Sequence, residues 1–399
     1  MGLALCVRLH PFLCVYVELV WWFWGWNLRV NKKADRVYYY LLRGLETGRY
    51  RIGDRIPTER DLAAQFALSR PTVSGAIKRL AHAKLIGPTQ RKGSVVLKLP
   101  PARPLIFGFV VLDQNRRPDE SIFSVLAKEM LRRAAAEHSF IALHDPSRGE
   151  DPGDPGLFVR YRTVATEFIK QKVDGVFLMP QLILPDQYVS ATTGIAEEIE
   201  KASIPVVLID GDVVRYPDRS HFDWVGIDNF HSGFIMAKHF IRLGCRRIDF
   251  FAITTRHSTQ EARIAGYLKA LEDQGIRPDA DGIHHGDLLN GDFATEVLRH
   301  RRPEAVIVVN DFQAASVMRQ ATQAGIKIPG QLRIGSFDDL PMARTLPVPL
   351  TTIRQPVAGM AEAAYRTMLQ RISAPGLPPL HIELKGELII RASSGTVRR

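Results

Sequence analysis

Hydrophobic residues between positions 29 and 99 recur at the spacing of short amphipathic helices. Val37, Leu41 and Leu45 repeat every four residues, which predicts a first helix over about 32–47. Two further helices are predicted after it, because capping residues precede two more apolar stripes. This stretch therefore predicts a small bundle of three helices.

The second predicted helix starts after Thr58, with Asp61 near the capping-box position, and the third starts after Ser69. The third helix has an inner stripe and a far side, formed respectively by Val73, Ile77 and Leu80 and by Thr72, Gly75 and Arg79. Two short helices joined by a tight turn are typical of a helix-turn-helix. The apolar runs over 85–97, with basic residues between them, predict a β-hairpin that would form a wing.

Beyond a Pro-rich linker at 99–104, apolar runs alternate with amphipathic segments. The predicted strands are Leu105–Leu112, Phe140–Leu143, Gly175–Met179, Val206–Ile209, Trp224–Ile227, Ile248–Ile253, Ala305–Val309 and Leu332–Phe337. The predicted helices include about 121–137, 230–243, 259–274, 312–324 and 357–372. Such alternation is typical of parallel sheets covered on both faces. We therefore expect an α/β fold in which a winged helix over 29–98 precedes a body over 105–393, with two lobes around a cleft.

The charge of the chain is concentrated in the helical block. The 399 residues have a formal net charge of +11, with 46% hydrophobic and 24% charged residues, which is ordinary globular usage. Residues 29–99 hold 16 Lys/Arg against 5 Asp/Glu, a net of +11, so the remainder is neutral. A basic block on a neutral body is typical of nucleic-acid binding, with a membrane-surface patch as the alternative. With three cysteines, neither a zinc site nor a disulfide framework is predicted.

Residues 1–28 hold four of the five tryptophans and allow three interpretations. A transmembrane helix is interrupted by charged residues and Pro11, and a signal peptide lacks a convincing cleavage site. The pattern favours the third, a start codon placed too far upstream, with the true start near Leu28 or Val30. A disordered or apolar extension, including a membrane tether, stays open.

Three ordered segments of the basic block resemble the GntR-type winged-helix regulators. They are the runs GRYRIGDRIPTERDLA at 48–63, SRPTV at 69–73, and KLI with KGS at 84–86 and 92–94. The resemblance implies that DNA is contacted by Arg60, Ser69, Arg70, Thr72, Ser74, Arg91, Lys92 and Gly93. Ser74 stands where the family commonly has Arg, so one expected contact is altered. Arg side chains can pair with guanine, and Ser and Thr hydroxyls suit phosphates.

The body resembles the effector domain of the LacI/GalR regulators, which is itself similar to periplasmic sugar-binding proteins. The motifs are IPVVLID at 204–210, VGIDN at 225–229, EARIAGY at 261–267, VND at 309–311, IGSFDD at 334–339 and LTTIRQ at 350–355. A GntR-type head on such a body resembles the arabinose-repressor class. The resemblance implies that a small sugar is held by Asp210, Arg263, Asn310 and Asp338, with Phe123 able to stack on its face. Acidic residues in this set favour an uncharged sugar over an anionic one.

Each body residue has a structural alternative. Asp210 or Asp338 could cap a helix, Arg263 could be a surface charge, and Phe123 could belong to the core. His284 and His285 invite a metal site, but neighbouring side chains on a strand point to opposite faces, so no metal is predicted. No catalytic residues and no cofactor are predicted, because the sequence lacks a nucleophile elbow, a P-loop and a dinucleotide fingerprint.

Together these patterns predict a cytoplasmic, ligand-responsive transcriptional regulator, in the first instance a repressor, that is not an enzyme. Its expected partners are palindromic operator DNA, a small carbohydrate and a second copy of the chain, with no membrane. The alternative is an exported or membrane-tethered sugar-binding protein, for which the basic winged helix has no use. A sugar-modifying enzyme is the third possibility, and no catalytic constellation supports it.

Overall fold

The computed structural model describes residues 32–46, 48–88, 93–100, 104–111, 121–144, 156–180, 189–254, 257–277, 281–289 and 292–395. They fall into two compact units, one ending at Pro100 and the other beginning at Pro101. Residues 1–28, discussed above, lie outside the described part of the chain.

The first unit is a three-helix bundle with a hairpin. Its elements are α1 (Lys32–Glu46), α2 (Glu59–Phe66), α3 (Arg70–His82), β1 (Ile86–Pro88) and β2 (Ser94–Val96). The apolar stripes predicted from spacing meet in one core, which includes Val37, Leu41, Leu62 and Leu80. The strands pair antiparallel with Ile86 opposite Val96, as a wing requires. Ala76, rather than Ile77, is the fully buried residue in the middle of α3.

The second unit contains two six-stranded sheets, each flanked by helices. The first part of the chain supplies β3 (Ile106–Val110), α4 (Ile122–Ala136), β4 (Phe140–His144), α5 (Gly156–Gln171), β5 (Gly175–Leu178), α6 (Val189–Lys201), β6 (Val206–Ile209) and β7 (Asp223–Ile227). The middle part supplies α7 (Asn229–Arg242), β8 (Ile248–Ala252), α8 (Ser258–Asp273), β9 (Ile283–His285), α9 (Phe293–Arg301), β10 (Ala305–Val308), α10 (Asp311–Gln323), β11 (Arg333–Asp338), α11 (Met342–Thr345) and β12 (Thr351–Arg354). The last part supplies α12 (Val357–Ser373), β13 (His381–Leu384), β14 (Glu387–Ile389) and a 3₁₀ turn at Ala392–Ser394.

The two sheets define two lobes. The first has the strand order β13-β7-β6-β5-β3-β4 and is parallel throughout. The second has the order β14-β12-β11-β10-β8-β9 and is parallel except for β14. The described chain crosses between the lobes after β7, after β12 and after β13. The helix α12 therefore returns to the first lobe, where Met360, Tyr365 and Met368 are buried.

The predicted parallel α/β fold is confirmed, and the eight predicted strands and five predicted helices match observed elements within one or two residues. The short strands β9, β12, β13 and β14 were not among the strand predictions. Three of them hold few large apolar residues, and β13 and β14 lie at sheet edges, where one flank needs no partner. The antiparallel β14 is the one departure from the parallel pairing expected of the two sheets.

Close packing of α7 against α8 determines where the Arg263 side chain lies in the second lobe. A Cβ atom added to Gly233 would lie 2.0 Å from the carbonyl oxygen of Arg263, and one added to Gly266 would lie 1.9 Å from that of Phe230. Both glycines therefore permit a backbone approach that a side chain at either position would block. The close approach places the Arg263 side chain beside the first residue of α7.

Candidate functional sites

The start of α2 carries an exposed arginine next to a built cap. The Thr58 hydroxyl accepts from the backbone N–H of Asp61 at 3.3 Å and donates to the Asp61 carboxylate at 2.7 Å. This side-chain hydrogen bond lowers the pKa of Asp61, and Arg60 assists through its charge. The Arg60 side chain is 80% exposed and lies 3.7 Å from the Asp61 carboxylate. A guanidinium so placed is free to reach a phosphate or a base.

The start of α3 presents a cluster of polar side chains to solvent. Ser69 and Arg70 are exposed, and Thr72 and Ser74 are half-buried. Ser69 occupies the N-cap position, but its hydroxyl does not cap the helix and instead pairs with the Thr72 hydroxyl at 2.8 Å. The Ser69 side chain therefore leaves the first backbone N–H groups of α3 uncapped, apart from Pro71, which has none. Backbone donors and hydroxyls at a helix start suit a DNA phosphate.

Arg79 is exposed on α3, as the spacing predicted, but its side chain is already engaged by α1. Its guanidinium donates to the Asp35 carboxylate of α1 at 2.5 Å and stacks on the Tyr38 ring at 3.9 Å. The side chain is long enough to reach back over α1, where a carboxylate and an aromatic face are available together. Arg79 thus links α3 to α1.

The wing is described only in part. Gly93 is exposed and has a φ of +135°, a conformation that side chains disfavour, so glycine suits this position. Arg91 and Lys92 lie outside the described residues. Their contribution to DNA binding remains a prediction.

In the second unit, Arg263 is the centre of a buried polar cluster. It lies in α8 and is 4% exposed, which excludes the surface-charge alternative. Its Nε donates to Asn229 Oδ1 at 2.8 Å, and its Nη1 donates to the Val309 carbonyl at 2.7 Å. The guanidinium also stacks on Phe337 at 4.5 Å. These contacts fix the guanidinium plane, and Nη2 then faces Asp338 Oδ1 at 4.0 Å.

Asp338 and Asp210 are buried carboxyls near this arginine, one from each lobe. Asp338 ends β11, has a φ of +117° and accepts from Gln355 Nε2 at 2.8 Å. Burial raises the pKa of Asp338 to about 8, against the opposing effect of Arg263. Asp210 follows β6 in the first lobe with a φ of +67°, and burial raises its pKa also. Neither carboxyl caps a helix, and strained backbone at two strand ends is typical of functional positions.

Asn310 and Phe123 are placed differently from these three residues. Asn310 is the N-cap of α10, and its Oδ1 accepts from Gln313 N at 2.9 Å. It follows β10 on the same sheet as Asp338, so its amide nitrogen stays a candidate donor. Phe123 is the second residue of α4, and its partly buried ring packs against the first-lobe core. The structure therefore groups Asp210, Arg263 and Asp338. Packing against the core accounts for the position of Phe123 as well as sugar stacking would.

Several polar residues join this cluster that sequence reasoning did not single out. Asn229 orients Arg263, and Asp311 accepts from Ser336 Oγ at 2.5 Å and Thr352 Oγ1 at 2.7 Å. Burial raises the pKa of Asp311 to about 6. The Ser258 hydroxyl, at the start of α8, accepts from the backbone N–H of Asp212 at 3.1 Å and so joins the two lobes. The available signal was position, since Asn229 and Ser258 open helices that follow strands.

The histidine pair has partners other than a metal. His284 Nε2 lies 2.9 Å from the Asp249 carboxylate, and His285 Nδ1 lies 3.2 Å from the Ile253 carbonyl. Within the described ranges, no group of three or more His, Cys, Asp or Glu side chains is arranged to hold a metal ion. None of the helices that the structure describes is both long and apolar enough to cross a bilayer.

Comparison with known families agrees with both halves of this geometry. Residues 33–96 match the bacterial regulatory proteins of the gntR family, and residues 237–394 match the periplasmic binding protein-like domain. The chain thus combines a GntR-type helix-turn-helix domain with a periplasmic-binding-protein-like domain, as the two resemblances implied.

Individual relatives are transcriptional regulators. The HTH-type transcriptional regulator MalR of Streptomyces coelicolor is 27% identical over 206 residues, which are 50% of this chain and 59% of MalR. The HTH-type transcriptional repressor PurR of Mannheimia succiniciproducens is 26% identical over 232 residues, 56% of this chain and 65% of PurR. The matches thus span less than two thirds of these relatives. A solved structure of the regulator CelR with cellobiose shares the fold at a TM-score of 0.61 and 20% identity, covering 85% of this chain and 100% of CelR.

Proposed function

We propose that this chain is a ligand-responsive transcriptional repressor acting in the cytoplasm. Its winged helix binds operator DNA, and its two-lobed body binds a small carbohydrate. The observation that carries the proposal is the combination of an exposed Arg70 at the start of α3 with a buried Arg263–Asp338 pair in the body. The repressor name of PurR and the cellobiose bound to CelR support the two halves of the proposal.

The DNA-binding half rests on chemistry at the helix starts and the wing. Arg60, Arg70, Lys92 and Arg91 supply positive charge, and Ser69, Thr72 and Ser74 supply hydroxyls next to it. Gly93 lets the wing backbone approach a groove closely. Arg70 begins the recognition helix, so it is the residue that we expect to read a base edge.

The effector half rests on the carboxyl ends of the strands. Asp210, Asn310 and Asp338 follow or end strands of the two sheets, where open α/β sheets bind ligands. Arg263 Nη2 and Asp338 Oδ1 are 4.0 Å apart, which is too long for a direct hydrogen bond. A sugar hydroxyl between them would accept from the arginine and donate to a carboxyl oxygen of Asp338.

Effector binding would regulate the protein by favouring one lobe arrangement over another. A ligand shifts such an equilibrium only by its different affinities for the two states. In a dimer, lobe closure would change the spacing of the two heads, so that they no longer match two half-sites.

The test is operator binding by the full chain, with the operator first selected from random duplexes. Arg70→Ala is expected to weaken binding by about 1–3 kcal/mol and to relax base preference at one position. Arg242→Ala, which removes an exposed arginine from the last turn of α7, is the charge-matched control and is expected to leave binding unchanged. Binding is expected to fall steeply with salt, with a slope near about −0.9 per neutralised phosphate. Undiminished binding by a folded Arg70→Ala protein would remove α3 from this proposal.

A further inference from the structure

A polar cavity of about 270 Å³ lies beside the Arg263–Asp338 cluster. Of the effector residues predicted from the sequence, Asp210 alone lines it, so the cavity extends the site away from Arg263. Its walls come from the ends of β6 and β7, the starts of α7 and α8, and β13. With about 30 Å³ for each water molecule in the liquid, the cavity has room for a small polar ligand group.

The lining of this cavity is strongly acidic. Its acidic members are Asp210, Asp212, Asp228 and Glu383, and its one basic member is Arg219. Arg219 already donates to Glu383 at 2.9 Å, so its charge is matched by a carboxylate of its own. An anionic ligand in this cavity would face the remaining carboxylates without a free cation of the lining to pair with.

Two of the carboxylates are buried with oxygen atoms that lack a donor. Asp212 is 1% exposed and Asp210 is 8% exposed. The Oδ1 atom of each has no hydrogen-bond partner among the described residues. Asp212 Oδ2 accepts from Ser220 N at 3.2 Å. This bond orients the side chain, and Oδ1 stays without a donor among the described residues. A buried acceptor without a donor costs about 1–3 kcal/mol, which a ligand donor at this place would recover.

Aromatic faces complete the cavity. The Arg219 guanidinium stacks on Trp224 at 4.9 Å and on Tyr216 at 5.9 Å, and both rings line the cavity. The indole N–H of Trp224 donates to the Asp210 carbonyl at 3.3 Å and so fixes the ring. Aromatic faces beside carboxylates attract cations, and an ammonium group offers three donors.

We propose that this cavity is a subsite for a protonated amine, so that the effector is a polyhydroxylated small molecule carrying an ammonium group next to Asp212 and Asp210. This proposal rests on the carbohydrate-binding role given above and departs from the uncharged sugar expected from the sequence. The ammonium group donates to the unpartnered Asp212 and Asp210 oxygens and balances carboxylates of the lining that Arg219 does not pair with.

The experiment compares matched probes on the full chain by titration calorimetry below neutral pH, where the amines are protonated. The probes are D-glucosamine with D-glucose and N-acetyl-D-glucosamine, and D-galactosamine with its two corresponding neutral sugars. Putrescine tests an amine without hydroxyls. At least one amino sugar is expected to bind about tenfold more tightly than both of its neutral relatives, a difference of about 1.4 kcal/mol.

Three variants locate the preference. Asp212→Asn keeps the shape and removes the charge, and it is expected to bring the amine within about threefold of the neutral sugars, or about 0.7 kcal/mol. Glu383→Gln alters an exposed side chain, and it is expected to reduce the preference by freeing Arg219. Asp218→Asn, an exposed carboxylate of the same loop outside the lining, is expected to keep the full preference.

The outcomes separate the subsite from the wider function. Neutral sugars bound as tightly as amino sugars, or a preference that survives in Asp212→Asn, would overturn the amine subsite and leave the carbohydrate role standing. Putrescine bound without any sugar would uphold the amine subsite and overturn the carbohydrate role. No binding by any amine would overturn the subsite, and the DNA-binding role would still be judged by the Arg70 experiment.

Discussion

The guanidinium of Arg263 connects three separate parts of the second unit. It reaches Asn229 at the start of α7, the Val309 carbonyl after β10 and the Asp338 carboxyl at the end of β11. Because two of its nitrogens are occupied by protein acceptors, the direction of the third is fixed. A fixed donor binds a ligand without the entropy cost of first ordering a long side chain.

We expect Arg263→Ala to reduce effector affinity by at least about 1–3 kcal/mol, because ligand hydroxyls lose their donor and the buried Asp338 carboxyl loses the nearby positive charge. Titration calorimetry measures the loss, with a sugar that the wild-type protein is found to bind. DNA affinity without effector is expected to stay unchanged, and so is sugar binding by Arg277→Ala, which removes an exposed arginine that follows α8. Wild-type sugar affinity in the Arg263→Ala protein would show that the site lies elsewhere.

The raised pKa of Asp338 predicts a pH dependence of stability. Its pKa of about 8 in the folded protein lies above the ordinary value of about 3.9, so between these values the folded chain holds a proton that the unfolded chain has released. The stabilisation is therefore complete below about pH 4 and is lost as the pH rises towards about 8.

Urea unfolding at several pH values measures this effect. Asp338→Asn is expected to flatten the fall in unfolding free energy between about pH 6 and pH 8, because the amide cannot titrate. The exposed-site variant Asp218→Asn is expected to keep the wild-type slope. An identical slope in Asp338→Asn would assign the pH dependence to other groups, such as Asp311, whose pKa burial raises to about 6.

At the level of single residues, the sequence singled out Asp210, Arg263 and Asp338 as candidates, which the structure groups, but it did not single out Asp212. The first three lie in sequence motifs that resemble those of a known family, at strand ends or in a helix. Asp212 lies in the loop after β6, where it is 1% exposed, and its backbone N–H donates to the Ser258 hydroxyl, which is 46 residues away. Such burial follows from how the two lobes approach each other, which no local pattern encodes.

At the level of elements, the contact between α7 and α8 determines where Arg263 lies. Gly233 and Gly266 bring the two helices so close that each faces a backbone carbonyl of the partner helix. The sequence predicted both helices from their spacing. It did not predict this crossing, because glycine inside a helix ordinarily indicates only a loss of helix propensity.

Gly266→Ala is expected to destabilise the protein by about 1–3 kcal/mol, because the new Cβ atom would meet the Phe230 carbonyl and push the helices apart. Gly194→Ala in α6 is the matched control. Its Cβ atom would meet nothing within 4 Å, so it is expected to stabilise by up to about 1 kcal/mol through helix propensity. Thermal and urea unfolding measure both changes, and equal stability of the two variants would contradict the close-packing argument.

Burial explains only part of the difference between predicted and missed strands, because β12 is largely buried and was missed, whereas β4 is largely exposed and was predicted. Strands such as β6 and β10 are buried along their whole length and appear as uninterrupted apolar runs. The edge strand β13, with the sequence HIEL, alternates between exposed and half-buried positions. Its place beside β7 comes from the return of the chain to the first lobe, which is a long-range property.

At the scale of the whole molecule, the proposed function requires two copies of the chain. A single winged helix contacts one half-site and buries only about 600–1,000 Å² on DNA, which limits specificity. A two-fold symmetric dimer doubles that footprint and requires a palindromic operator. We place the main interface in the body, because the apolar residues of the head are largely used in its own core.

Analytical ultracentrifugation tests this assignment. A chain shortened to residues 104–399 is expected to sediment as a dimer at micromolar concentration, and a chain of residues 29–99 as a monomer that binds DNA weakly. A monomeric body with a dimeric head would reverse the assignment. The effector would then act on the pairing of the heads rather than on their spacing.

The return of α12 and β13 to the first lobe has a consequence for biosynthesis. The strands β3 to β7 leave the ribosome early, but the core on one face of their sheet needs Met360, Tyr365 and Met368, which emerge more than 100 residues after β7. The core of the first lobe therefore stays incomplete, with an apolar face of its sheet exposed, while the second lobe is synthesised. Such delayed closure exposes a nascent chain to aggregation and makes it a client for chaperones that bind apolar surface.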